Sequence, residues 1–286
     1  MGSVINSNKN FETMANPQKT IFITGASSGL GKATAKLFAS KNWKVIATMR
    51  NPSQEEELNL LENIFLMPLD VTNREQIELT TQAAIANNDI DVVFNNAGYG
   101  LGGPMEAYTD EQIVRQIDTN LLGVLRVTKA FIPHFRKKKS GLFITTSSIG
   151  GHVAFPFNSV YNATKWAIEG WSESLSYELN QFGIGVKTIS PGVIKTDFIN
   201  RSMEIASQIE YDTLEKKAME ILDNPEVEKM ASSPLQIAEI VYEAATDGKD
   251  KLRYIAGADA NETYERRSQV GDEIFRNEMN EIFFGR

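Results

Sequence analysis

Short, nearly continuous apolar runs alternate along this chain with longer stretches in which apolar residues return every three or four positions. The runs are TIFIT (20–24), WKVIATM (43–49), IFLMPLD (64–70), DVVFNN (91–96), GLFITTSS (141–148), GVKTIS (185–190) and LRYIAG (252–257). Helical patterns fall near 29–40, 73–87, 110–137 and 158–182. Strands that are apolar on both faces and separated by helices predict βαβ units, with a central parallel sheet covered on each side. No repeat or linker divides residues 20–286, which read as a single doubly wound α/β domain with seven strands in its mostly parallel sheet.

One segment breaks the alternation. From Val193 to Ser233 the chain wanders before the helical pattern restarts at SSPLQIAEIVYEAA, where Ser232 and Ser233 are capping candidates and Pro234 suits a first helical turn. An excursion of that length in a compact domain predicts a lid over a site, here about 193–233. At the other end, residues 1–19 are Asn/Ser/Lys-rich and aperiodic, and are expected to form a disordered tail; Met14 is an alternative start within them.

Composition narrows the function classes. The net charge of −8 argues against nucleic acid or anionic membrane as partners. No apolar run approaches the roughly 18 residues that span a bilayer. The absence of cysteine excludes disulfides and suits a cytoplasmic protein. The basic run Arg136–Lys139 reads as a helix end complementing the helix dipole, and His134 reads as structural. No His/Cys cluster suggests a metal site.

The first strand runs straight into TGASSGLG (24–31) and then a helix, so backbone amides and a helix N-terminus meet where a pyrophosphate would sit. The spacing is G-x-x-x-G-x-G. After the second strand, where an acid would bind a ribose 2′-hydroxyl, the chain has Met49 and then Arg50; a guanidinium there can pair with a 2′-phosphate. Tyr161 and Lys165 lie one helical turn apart in SVYNATKW. With 8 Tyr and 29 Lys+Arg in 286 residues, chance alone places about one basic residue four positions after a tyrosine, so this pair needs its surroundings to acquire meaning.

The surroundings supply it. TGASSGLG, LDVT (69–72), NNAG (95–98), Asn120, TSS ending at Ser148, YNATK (161–165) and SPG (190–192) resemble, in order and spacing, the short-chain dehydrogenase/reductase family, its NADP-preferring branch above all. The resemblance runs from about Lys19 to at least Thr196, and LRYIAGADA is similar to relatives acting on bulky alcohols and ketones. It implies a three-layer Rossmann fold and a catalytic set of Asn120, Ser148, Tyr161 and Lys165. Tyr161 would be the acid or base and Ser148 would orient the substrate oxygen. Lys165 would lower the tyrosine's pKa and bind the nicotinamide ribose, while Asn120 would hold a water relaying protons to Lys165. Cofactor contacts are implied for Gly25, Ser27, Ser28, Gly29, Leu30, Gly31, Arg50, Asp70, Val71, Asn95, Ala97, Gly98, Tyr161, Lys165, Pro191, Gly192, Ile194 and Thr196. For Asp70 a helix-capping role before VTNREQ is the competing explanation.

These features predict hydride transfer between NADP(H), with NAD(H) also accepted, and a carbonyl or secondary alcohol. Family-equivalent pocket positions, among them Tyr99, Leu101, Met105, Val153, Phe155, Phe157, Phe198, Ile199 and Met203, are nearly all apolar, which points to a bulky hydrophobic substrate. His152, Phe155 and Phe198 are the specific candidates for touching it. The resemblance implies a homodimer or homotetramer paired through the 110–137 and 158–182 helices, with Trp166 and Trp171 as candidate anchors. A nucleotide-sensing regulator without turnover is the alternative on the same fold, disfavoured because all four catalytic positions are intact.

Overall fold

The computed structural model describes residues 18–195, 203–222 and 224–285. Its centre is a parallel sheet of β1 (Thr20–Thr24), β2 (Lys44–Met49), β3 (Ile64–Pro68), β4 (Val92–Asn95), β6 (Gly141–Thr146), β7 (Ile184–Pro191) and β9 (Arg253–Ala256), in the order β3-β2-β1-β4-β6-β7-β9. Strand order reverses between β1 and β4, and the crevice beyond the C-terminal strand ends at such a point is where ligands bind in open α/β sheets.

Alternation along β1 shows how the layers are sewn together. Ile21 and Ile23 face one buried cluster with Phe38, Trp43, Val45 and Val241, whereas Phe22 faces the other with Phe131, Phe135 and Phe143. The first cluster is covered by α1 (Gly29–Ser40) and α8 (Pro234–Thr246); the second by α2 (Arg74–Asn87), α4 (Gly123–Lys138) and α5 (Ser159–Asn180). Two apolar faces per strand is why the strands read as continuous apolar runs.

The single helix expected over 110–137 is two. The first, α3 (Asp110–Ile117), begins with a capping box at Thr109 and Gln112 and gives way to a wider turn over Asp118–Leu122. Gly123 N–H closes that turn onto the Asp118 carbonyl, five residues back. Gly123 is needed for close packing: a Cβ there would lie 2.9 Å from Val71 Cγ2. Pro234 opens α8 as expected, but within its capping box Ser233 is the cap and Gln236 answers it.

The lid region contains β8 (Met203–Ile205), α6 (Asp212–Leu222) and α7 (Pro225–Met230). A small second sheet, unforeseen from the sequence, joins β8 in parallel to β5 (Gly100–Gly102). The chain ends in α9 (Ala258–Val270) and α10 (Asp272–Phe284). Among the described residues no helix is long and apolar enough to cross a membrane. Residues 1–17 of the expected tail lie outside the described residues.

Candidate active site

The glycine loop leaves β1 in a shape only its glycines permit. Gly25 has φ +69°, and a Cβ on Gly31 would sit 2.2 Å from the Gly25 carbonyl oxygen. Thr24 Oγ1 accepts from the backbone N–H groups of Asn96 and Ala97, both at 3.0 Å. Asn96 Nδ2 donates to the carbonyls of Thr24 (3.2 Å) and Gly25 (3.1 Å), stitching the loop to the end of β4. Ser28 occupies the N-cap of α1, but its side chain bonds no helix N–H. The first-turn amides therefore keep their capacity for an anion, and the glycines let the loop backbone pack closer to Ala97 and to itself than a Cβ would allow. Both features fit a dinucleotide pyrophosphate. Ser27 is exposed at the mouth of this loop, while Leu30 is buried and anchors α1.

In NNAG the two asparagines make different contacts. The Asn95 side chain is buried and donates to Thr128 Oγ1 at 2.9 Å, so it braces β4 against α4. Its neighbour Asn96, not singled out from the sequence, holds the glycine loop. Adjacent strand residues point to opposite faces, which is why a choice between two consecutive asparagines cannot be made from spacing. Gly98 lies where a Cβ would meet Asn120 Oδ1 at 3.1 Å, and Ala97 packs against Gly25. Asp70 is half-buried and accepts from the N–H and hydroxyl of Thr72. The helix cap suggested for it belongs to Asn73, which accepts from Gln76 N–H at 3.0 Å.

Beyond β2, Arg50 is exposed and makes no ion pair among the described residues, whereas Met49 is only 3% exposed inside the core. Lys32 is occupied: its Nζ lies 3.0 Å from Glu55 and 2.7 Å from Glu57. Glu57 also pairs with Lys36, and the two lysines hold its carboxyl down at about 2.

Ser148, Tyr161, Lys165 and Asn120 gather at the C-terminal end of the sheet. Ser148 starts a single 3₁₀ turn after β6 and its Oγ accepts from Gly150 N–H at 3.0 Å. A Cβ on Gly150 would approach both Ser148 Oγ (3.3 Å) and Tyr161 Cε1 (3.4 Å), so this glycine lets serine and tyrosine meet. Burial pushes the Tyr161 phenol up, and a hydrogen bond with Ser148 pulls it back. Lys165 Nζ donates to the Thr146 carbonyl at 2.9 Å and lies 5.6 Å from the Tyr161 ring centre. Burial pushes this lysine down to about 8, with the Glu169 carboxylate acting the other way. The expected fall of the tyrosine pKa is thus not a property of the protein alone; desolvation outweighs the Ser148 hydrogen bond. Asn120 sits in the wide turn, buried, with Oδ1 accepting from Tyr99 N–H and Nδ2 donating to the Tyr99 carbonyl.

Pro191 ends β7, and Gly192 follows under Asp259, whose carboxylate would lie 2.1 Å from a Cβ at that position. Asp259 Oδ2 accepts from Val193 N–H at 2.6 Å, a clamp not foreseen in GADA. Ile194 pairs with Ser232, joining the two ends of the lid excursion. Thr196, Phe198 and Ile199 lie outside the described residues.

Several expected pocket residues are core. Leu101 and Val153 are fully buried in separate apolar clusters, and Phe155 packs with Val153, Ala260 and Phe275. His152, a candidate substrate contact, has its Nε2 3.1 Å from Ser190 Oγ and 3.3 Å from Glu169 Oε1. Phe157, by contrast, has φ +58° and its ring stands between those of Tyr211 and Phe284, bringing together the turn before α5, the lid and the last helix. Met105 is 55% exposed nearby, and Met203 Cε packs close over Gly102.

The sequence pattern described as short chain dehydrogenase matches residues 19–205. The chain belongs to the short-chain dehydrogenase family. It is an oxidoreductase acting on CH–OH groups, with NAD(P) as the hydride partner. An uncharacterized oxidoreductase of Schizosaccharomyces pombe is 42% identical over 228 residues, covering 79% of this chain and 96% of that protein. A 3-ketodihydrosphingosine reductase of Bacteroides thetaiotaomicron is 37% identical over 72% of this chain and 76% of its own length. Among solved structures, a short-chain dehydrogenase from Streptomyces avermitilis superposes with a TM-score of 0.82 at 28% identity, over 94% of this chain and 97% of that one. ElxO with NADP bound gives 0.71 at 27% identity, over 84% of this chain and 97% of that one.

Proposed function

We propose that this short-chain dehydrogenase is an NADP(H)-preferring enzyme that interconverts a bulky, neutral, hydrophobic ketone and its secondary alcohol. The meeting of Ser148, Tyr161 and Lys165 at the sheet's switch-point end carries this reading. When bound, the dinucleotide supplies or receives the hydride. The glycine loop and the α1 amides would hold its pyrophosphate, Arg50 its 2′-phosphate, and the Lys165 ammonium its nicotinamide ribose.

Every other task falls to side chains of the chain. The Ser148 hydroxyl orients the substrate oxygen toward Tyr161. Because burial holds the phenol protonated, Tyr161 is ready to donate its proton to the oxygen of a ketone as reduction proceeds. In the oxidative direction it must first lose that proton, which needs a further nearby positive charge, so reduction is the easier direction near neutral pH. Asn120, locked to the Tyr99 backbone, would fix a water on the path to Lys165.

Phe157, Tyr211 and Phe284 supply an aromatic wall suited to a ligand recognised by burial around one oriented oxygen. The relative named for 3-ketodihydrosphingosine, itself a ketone, supports that substrate class. A homodimer or homotetramer remains part of the proposal, and of the two tryptophans Trp166 is the available anchor at 44% exposure, since Trp171 packs against the core. A cytoplasmic location is proposed from composition.

The test is Tyr161→Phe, which keeps the ring and removes the proton. NADPH binding is expected to survive while turnover of an apolar ketone falls by about 10²–10⁴-fold. Retention of more than about a tenth of kcat, with chemistry rate-limiting, would refute the assignment. Faster turnover of a polyhydroxylated or multiply charged substrate than of any apolar ketone would refute the substrate class.

A further inference from the structure

Glu169 follows Lys165 by four residues on α5, as Lys165 follows Tyr161, so the three side chains lie along one face of the helix. A carboxylate that is only 5% exposed is costly unless fully partnered, and this one is. Its Oε1 accepts from Ser190 Oγ at 3.0 Å and lies 3.3 Å from His152 Nε2. Its Oε2 accepts from Thr188 Oγ1 at 3.2 Å and from Arg253 Nε at 3.1 Å. The partners come from β7, from β9 and from the residue that ends the Ser148 turn. Within that turn Gly151 packs so closely that a Cβ would lie 2.9 Å from the Lys165 carbonyl oxygen and 3.1 Å from Glu169 Cγ. The carboxylate is therefore joined to both the lysine's helix and the serine's turn.

We propose that Glu169 is a positioning residue for the catalytic group: its fixed negative charge keeps Lys165 cationic, and its bond to His152 holds the Ser148 turn in place. This inference rests on Tyr161 and Lys165 being the working couple. Burial lowers the lysine to about 8 and Glu169 opposes that fall, so loss of the carboxylate would discharge Lys165 nearer neutrality. Burial acts against the charge on Glu169 too, but hydrogen bonds led by that of His152 outweigh it and hold its carboxyl low. The charged and titratable groups facing Glu169 are Lys165 and Glu173 along α5, His152 from the turn and Arg253 from β9. Tyr264, Arg267 and Asp272 join His152, Glu169 and Arg253 around an adjoining cavity of about 540 Å³.

Glu169→Gln keeps the shape and removes the charge. Thermal unfolding and NADPH fluorescence titration report folding and coenzyme binding, and kcat/KM for ketone reduction is followed from about pH 6 to pH 10. The basic limb of the profile is expected to move down by about one pH unit, so that activity falls about tenfold near pH 9 and much less near pH 6. A limb superimposable on that of the wild type, even with lowered activity, would show a merely structural role and overturn the inference. Should the Gln variant not fold, Glu169→Asp takes its place. It retains the charge, so a limb within about 0.3 units of the wild type supports the proposal and a displacement of a full unit overturns it. An active Tyr161→Phe enzyme would instead sink the catalytic assignment, whereas an inactive Tyr161→Phe with an unmoved Glu169→Gln limb would sink this inference alone.

Discussion

Arg50→Ala is the sharpest probe of how the coenzyme is read. The residue is exposed and unpaired among the described residues, so its removal should leave the melting temperature within about 1 °C, as for surface changes generally. The neighbouring lysines cannot take its place without breaking bonds already made: Lys32 is held by Glu55 and Glu57, and Lys36 by Glu57. A charge-assisted contact to a phosphate contributes about 1.5–3 kcal/mol, and exposure at the adenosine end pushes this to the lower figure. The ratio of kcat/KM for NADPH over NADH is therefore expected to fall about tenfold, through NADPH alone. Steady-state rates with each coenzyme, at low salt and at about 0.3 M, make the comparison; screening should shrink the wild-type ratio and leave the variant's unchanged. A wild-type ratio near one, or a salt-independent ratio that survives loss of Arg50, would refute the reasoning. Conversion to NADH use by Met49→Asp is a poor design, because Met49 is 3% exposed in the apolar core and a carboxylate there would destabilise the fold.

Five further outcomes are expected. Lys187 is buried, with Nζ donating to Asp247 Oδ1 (2.8 Å) and to the Ala244 carbonyl (2.8 Å), so Lys187→Met strands a buried carboxylate; the loss should be about 3–5 kcal/mol, seen as a fall of roughly 6–20 °C in Tm by calorimetry. Burial opposes ionisation of Asp247, but the bonds from Lys187 and Tyr254 bring it to about 2. Its folded pKa lies below the unfolded value of about 3.9, so its stabilisation is complete above that value and disappears as pH falls through about 2; Asp247→Asn should flatten this acid limb of stability. Gly31→Ala forces a Cβ onto the Gly25 carbonyl at 2.2 Å, and fluorescence titration should show NADPH affinity reduced at least about a hundredfold, or the fold lost. Glu204→Ala frees β8 from Gln112 and Arg115, exposed partners worth under about 1 kcal/mol, so the ketone KM should rise only a few-fold at unchanged coenzyme affinity. Light scattering at micromolar concentration should give at least a dimer mass, and Trp166→Glu should lower it, while a monomeric wild type would refute the assembly.

The sequence by itself determined the layered architecture and the oxidoreductase family. Apolar runs such as TIFIT and DVVFNN announce strands buried on both faces, because a residue's periodicity records which sides of it meet solvent. The glycine loop, Ser148, Tyr161 and Lys165 were legible as candidates only together, through a resemblance carried by several motifs in order and spacing. Which of Asn95 and Asn96 turns to the loop, and that His152 serves Glu169, were decided only by tertiary structure. Both depend on what packs against the residue from strands and helices distant in the chain. The same holds for the β5–β8 pair, for Asp259 clamping Gly192, and for the joining of Phe157 to Tyr211 and Phe284. The direction of the Tyr161 shift belongs with them. A sequence shows the cation one turn away but not the burial, and burial is what sets the direction of the shift.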